Sequence, residues 1–178
     1  VADRGNNRIL RYPKDFVGGA AADKLIGQAV YTTASTGASA TQLFEPADLA
    51  MDRASDILFV ADTSNNRVLR YNAPSAEQTA DAVIGQAGFG SNGGGRSSNG
   101  TLCDELNRPS GVAVAPGFDR LWVGDASNHR ILAFDYETPT GTTQAAATNR
   151  HGQPTCDATF EGAINASSIG KGEGGVWF

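Results

Sequence analysis

Three sets of acid, amide and guanidinium recur along the chain: Asp3, Asn7 and Arg8; Asp62, Asn66 and Arg67; Asp125, Asn128 and Arg130. Residues of these types could do either of two things. As a ring of carboxylates at one mouth of a channel they would attract a cation. As turn residues, Asp and Asn would satisfy backbone amides while Arg pairs with a carboxylate or a neighbouring carbonyl. Recurrence at the same place in every unit favours the structural role, because a catalytic site is built once. His129 stands where another copy has Asn and reads as a turn substitution.

Other reactive side chains are sparse. Two histidines, His129 and His151, and no H-E-x-x-H do not supply the converging ligands of a zinc or copper enzyme. No metal site, catalytic residue or cofactor is therefore expected. G-x-S-x-G is absent as well. GFGSNG at 88–93 satisfies G-x-G-x-x-G, but GGRSSNG follows it rather than a helix whose N-terminus could hold a pyrophosphate. IGKG at 169–172 imitates the end of a phosphate loop, with Asn165 in place of the earlier glycine and Gly172 in place of Ser/Thr. Cys103 and Cys156 fall in long connections, outside the expected core, where each could pair with the other or with a cysteine elsewhere. Asn99-Gly100-Thr101 and Asn165-Ala166-Ser167 are glycosylation sequons, the first in a Gly/Ser-rich loop. Loop cysteines with an exposed sequon point to an extracellular or cell-surface protein.

These residues must be carried by a scaffold, and composition narrows its type. The 178 residues include 22 glycines and only 19% charged residues, against a usual ~25%. With β-branched runs and few helical windows, this describes an all-β, turn-rich protein. Net charge is −5, with 14 Lys+Arg dispersed among 19 Asp+Glu, which argues against a nucleic-acid binder. Nothing reaches eighteen consecutive apolar residues, so no membrane-spanning helix is expected. The N-terminal VADRGNNRIL has no signal-peptide layout.

The scaffold is a repeat. VADRGNNRILRY at 1–12 returns as VADTSNNRVLRY at 60–71 and as VGDASNHRILAF at 123–134. LIGQ at 25–28, VIGQ at 83–86 and RHGQ at 150–153 follow the copies in turn. A third marker precedes the next copy: LFEPADLAM at 43–51, LNRPSGVAV at 106–114 and a weak echo, AINASSIG, at 163–170. GGVWF at 174–178 lines up with DRLWV at 119–123. The periods run near 1–59, 60–122 and 123–178, within a single domain, and self-similarity of this kind marks a repeat architecture.

Each unit reads as four short strands. ADLAM and GVAV form the first, entered through proline. DILFVAD and DRLWVGD form the second, NRVLRY and HRILAF the third, and DAVIGQ the fourth. Asp62-type residues should end the second strand and Arg67-type residues should begin the third. Asp62 can hold that turn by an Asx hydrogen bond, and Asn tolerates its left-handed backbone. Continuous apolar runs such as ILFVA suit strands buried on both faces. Leu58, Val60, Val68, Leu69, Val112, Val114, Trp122, Ile131 and Leu132 should be mostly buried.

VAD-x-x-N-N/H-R-I/V-L together with L-x-x-P-x-G-V-A-V resembles the NHL-repeat family of β-propellers, and the resemblance covers all three units. It implies four-stranded blades in a ring of about six, of which this chain supplies about half. Further blades, of the same or another chain, are then expected. Related long-looped repeats often carry cysteine at the places of Cys103 and Cys156, so the resemblance implies disulfides there. Peptidyl-hydroxyglycine amidating lyases share the propeller but use metal-bound histidines that this chain does not match. The expected function is a non-catalytic interaction or structural module presenting loops to protein partners. The alternative is a propeller enzyme of lyase or lactone-hydrolase type, its metal site completed by blades outside this chain.

Overall fold

A computed structural model describes residues 1–15, 17–76, 78–93, 103–115, 119–136 and 147–152. Among them the regular elements are strands and three short 3-10 turns, grouped into three antiparallel sheets. The first sheet contains β1 (Ala2–Asp3), β2 (Arg8–Arg11) and β3 (Lys24–Ile26). The second contains β4 (Pro46–Asp52), β5 (Ile57–Asp62), β6 (Arg67–Asn72) and β7 (Ala82–Ile84). The third contains β8 (Pro109–Ala115), β9 (Arg120–Asp125), β10 (Arg130–Asp135) and β11 (Asn149–His151). Each is an up-and-down meander in chain order, which is the layout of a propeller blade.

The repeat markers fall at fixed places in these blades. Asp3, Asp62 and Asp125 end β1, β5 and β9, and they pair in register with Arg8, Arg67 and Arg130 at the starts of β2, β6 and β10. Pro46 and Pro109 open β4 and β8, each followed by a register shift that spares the ladder its missing amide. Gly27 and Gly85 have positive φ, and a Cβ on either would lie 2.6 Å from Leu43 or Leu106. Only glycine allows that turn and that close approach.

The middle blade is buried on both sides, which is why ILFVA is continuously apolar. All six residues of β5 are buried. Odd positions such as Phe59 and Ala61 join Val112, Leu121, Val123, Leu132 and Phe134 between the second and third blades. Even positions such as Leu58 and Val60 join Ile9, Ile26 and Leu43 between the first and second. Each fully buried Leu, Val or Phe contributes about 1.5–3 kcal/mol. Polar links cross the second interface as well. Tyr136 donates to Asp52 at 2.8 Å, Arg70 donates to the Tyr136 carbonyl at 3.0 Å, and the Val112 amide donates to Asp48 at 2.9 Å.

Six of the nine residues expected in the core are buried, whereas Val114, Trp122 and Ile131 are half-buried. Trp122 and Ile131 alternate with Leu121, Val123 and Leu132 and therefore face away from the second blade. Val114 packs against the core from the far end of β8. Cys103 corrects another expectation. It is 7% exposed and belongs to the apolar cluster around Leu106, not to a solvent-exposed connection.

Candidate functional site

The three Asp–Asn–Arg sets are three copies of one hydrogen-bonded network, graded by burial. In the second blade Asp62 accepts the Phe44 amide at 2.7 Å, Asn65 Nδ2 at 2.8 Å and Arg67 Nε at 2.7 Å. In the third, Asp125 accepts the Asn107 amide at 2.6 Å, Asn128 Nδ2 at 2.9 Å and Arg130 Nε at 2.7 Å. In the first, Asp3 accepts Asn6 Nδ2 at 2.9 Å and Arg8 Nε at 2.6 Å. Side chains of the Asp62–Arg67 pair are fully buried, while Asp3 and Arg8 keep 25% and 16% of their exposure. Burial pushes the carboxyls of Asp62 and Asp125 upward, against the pull of the adjoining Arg67 and Arg130.

Two details differ from the sequence reading. Asp62 makes no capping bond to its own turn; its second oxygen reaches the amide of Phe44, in the segment that leads into β4. Its role is to tie the first and second strands of the blade together. The Asn equivalence also shifts by one position. Asn6, Asn65 and Asn128 are the residues that donate to the carboxylates. Asn7, Asn66 and His129 occupy the left-handed position after the 3-10 turn, at φ of 54, 55 and 53°. Asn tolerates that conformation better than most residues.

The left-handed Asn joins one blade to the next. Asn7 Oδ1 accepts the Glu45 amide at 2.8 Å and Asn66 Oδ1 accepts the Arg108 amide at 2.9 Å. Glu45 and Arg108 themselves have positive φ and immediately precede Pro46 and Pro109. On the other side Asn7 Nδ2 donates to Ala34 and Asn66 Nδ2 donates to Asn92.

Arginine extends the same network into the connections. Arg67 donates through Nη1 to the Phe89 carbonyl and through Nη2 to the carbonyls of Ser39 and Gln42, at 2.9 and 3.0 Å. Arg8 donates likewise to the Tyr31 carbonyl, and Arg130 Nη2 to Glu105 at 2.8 Å. Gln28 and Gln86, the glutamines of the second marker, donate to the carbonyls of Asn7 and Asn66. The pattern G-Q-A-x-Y/F at 27–31 and 85–89 is the signal that could have exposed the Tyr31 and Phe89 anchors. No residue type marks Glu45 and Arg108 in advance, since they contribute only backbone.

Chemically, these carboxylates are committed to donors of their own blade. Among the described residues no three His, Cys, Asp or Glu side chains gather as a metal site. His151, on β11, lies against the Trp122 ring at 5.5 Å between centroids. Cys103 is not a free thiol. Cys156, Asn99 and Asn165 lie outside the described residues, as does most of the glycine-rich stretch, at 94–102.

Residues 106–134 match the family model of the NHL repeat. The matched segment runs from Leu106 through β8, β9 and the 3-10 turn to Phe134 in β10, and so includes Asp125 and its three donors. The NHL repeat points to a β-propeller protein-interaction module. No curated protein matches the chain.

Proposed function

We propose that this chain is a non-catalytic segment of an extracellular or cell-surface β-propeller, presenting its long interblade connections to protein partners. One observation carries the reading: the repeated Arg, buried in the second and third blades and half-buried in the first, donates outward to connection carbonyls. Arg67 alone holds Ser39, Gln42 and Phe89, so the bases of two different connections are fixed to one fully buried side chain. Loops displayed from a rigid scaffold are the usual carriers of recognition. Val30 and Tyr31, 51% and 47% exposed, stand on the first of these connections beside the carbonyl held by Arg8.

Cysteine and sequon placement support the compartment. With two cysteines in the chain, Cys156 is the partner an intrachain bridge from Cys103 would use. Closing a loop of about fifty residues would restrict the unfolded chain by roughly 4 kcal/mol in the chain-entropy model. The compartment is tested on natively sourced protein by intact mass before and after reduction and after glycosidase treatment. An oxidised form lighter by two hydrogen atoms than the reduced one and a glycan on Asn99 are expected; two free thiols and no glycan would overturn it. Interaction is tested by replacing Val30 and Tyr31 with serine. A partner captured by the native chain and lost by this variant, at unchanged thermal stability, is expected. A partner held equally by both would refute the loop reading.

A further inference from the structure

Asparagine followed by glycine is prone to close on itself, because the glycine carries no Cβ to shield its nitrogen. Asn92 and Gly93 are such a pair, and they sit where the second connection is clamped to its blade. Asn66 Nδ2 donates to the Asn92 carbonyl at 3.2 Å, and Gln86 Nε2 donates to the Gly93 carbonyl at 3.1 Å. The first connection is clamped at the same two points, by Asn7 on Ala34 at 2.9 Å and Gln28 on Ser35 at 2.7 Å. That clamp has a third point: the Ser35 amide donates to Gln28 Oε1 at 3.0 Å. Gly93 lacks it. Its amide donates to no acceptor among the described residues, and the exposed side chain of Asn92 has no hydrogen-bond partner there either.

We infer that Asn92 is a site of spontaneous modification, in which the Gly93 nitrogen attacks the side-chain amide carbon. Loss of the Gly93 proton to hydroxide spreads negative charge over that nitrogen and the Asn92 backbone oxygen conjugated with it. Asn66 Nδ2 already donates to this oxygen, so a dipole is aimed where the charge develops. The bond from nitrogen to Cγ forms, Nδ2 takes up a proton and leaves as ammonia, and a cyclic succinimide remains. Water then reopens the ring: addition at Cγ gives aspartate, and addition at the backbone carbon gives isoaspartate. The balance is one amide and one water consumed, one carboxylate and one ammonium formed. Either product makes the net charge of −5 one unit more negative. In isoaspartate the main chain runs through Cβ and is one atom longer, and the oxygen that Asn66 held belongs to a free carboxylate. Asn66 and Gln86 then no longer meet the two points at their native spacing. The connection that Arg67 also grips at Phe89 is re-seated. The inference stands whatever that connection binds.

The folded chain is incubated in mildly alkaline buffer and mapped by peptide mass spectrometry. Isoaspartate is read separately by methyl transfer from S-adenosylmethionine with an isoaspartyl methyltransferase. Asn99 and Gly100 form the same pair outside the described residues, so the mapping resolves the two sites. Asn92 should convert to a mixture of aspartate and isoaspartate, faster as pH rises. Gly93→Ala tests the nucleophile with little risk to the fold, since a Cβ there meets nothing within 4 Å. It should slow conversion about tenfold or more, a barrier rise of about 1.4 kcal/mol. Transplanting the pair into the first connection, as Ala34→Asn with Ser35→Gly, should give slower conversion than at Asn92, because Gln28 Oε1 takes the amide there. Circular dichroism checks that both variants remain folded. Three results would overturn the inference: an Asn92 that keeps its amide after a capped peptide of residues 88–93 has wholly converted, a rate indifferent to Gly93→Ala, or a transplanted pair that converts as fast as the native one.

Discussion

Replacing Asp62 with alanine removes the acceptor from the most deeply buried of the three networks. Three donors lose their partner: the Phe44 amide, Asn65 Nδ2 and Arg67 Nε. Two are neutral and one is a guanidinium with no exposure of its own. Breaking a buried pair in this way, so that one charge stays behind uncompensated, costs about 3–5 kcal/mol. Asp3→Ala is the internal control. It removes the same group from the same network, but both partners there are partly exposed and water can replace the lost contact. That substitution should cost about 1 kcal/mol. Urea denaturation at neutral pH, analysed for midpoint and slope, measures both against the native chain. Equal costs for the two substitutions, or a larger cost for Asp3→Ala, would refute the claim that burial sets the value of the repeated pair.

Tyr136→Phe removes the hydrogen bond to buried Asp52 and should cost about 1.5 kcal/mol at neutral pH. That bond holds the Asp52 carboxyl below its ordinary value, so its contribution is present above an unfolded value of about 3.9 and is lost as pH falls through the lower folded one. Urea titrations of native and Tyr136→Phe chains should therefore begin to draw together as pH falls below about 4 and meet only below the lower folded value. Gly85→Ala places a Cβ 2.6 Å from Leu106 at a φ of +89° and should destabilise by about 3 kcal/mol in the same assay. His129→Asn restores the residue found at the equivalent left-handed positions, and its melting temperature should match or slightly exceed the native one; His129→Val should lower stability by about 1–2 kcal/mol.

The strands were legible because their signals are local. Proline at the start of β4 and β8, Asp at the end of β5 and β9 and continuous apolar runs each report on a few consecutive residues, and the repeat shows each signal more than once. Burial was legible only where a neighbour lies on both sides. Leu58 and Val60 have the first blade above them, whereas Trp122 and Ile131 face away from the second, and nothing within their own strands distinguishes the two cases. Cys103 shows the converse. Its glycine-rich surroundings describe a loop, yet four residues of chain return it to the core beside Leu106.

The Asp–Asn–Arg set shows where residue types stop being informative. Two adjacent asparagines, Asn65 and Asn66, have the same chemistry and opposite duties. The first donates to the carboxylate of its own blade; the second, turned left-handed, accepts an amide from the blade that follows. Alignment on identity alone treats them as interchangeable, and the third copy, with Asn128 and His129, then aligns either way. Backbone conformation separates them: the residue after a 3-10 turn must take positive φ, and that rotates its side chain toward the neighbouring blade. The same constraint explains why histidine is admitted there and not at Asn128, where the side chain must reach Asp125 at hydrogen-bonding distance. A set that the sequence presents as one motif is therefore two devices in series, one closing each blade and one joining it to the next. Arginine then carries both outward to the loops.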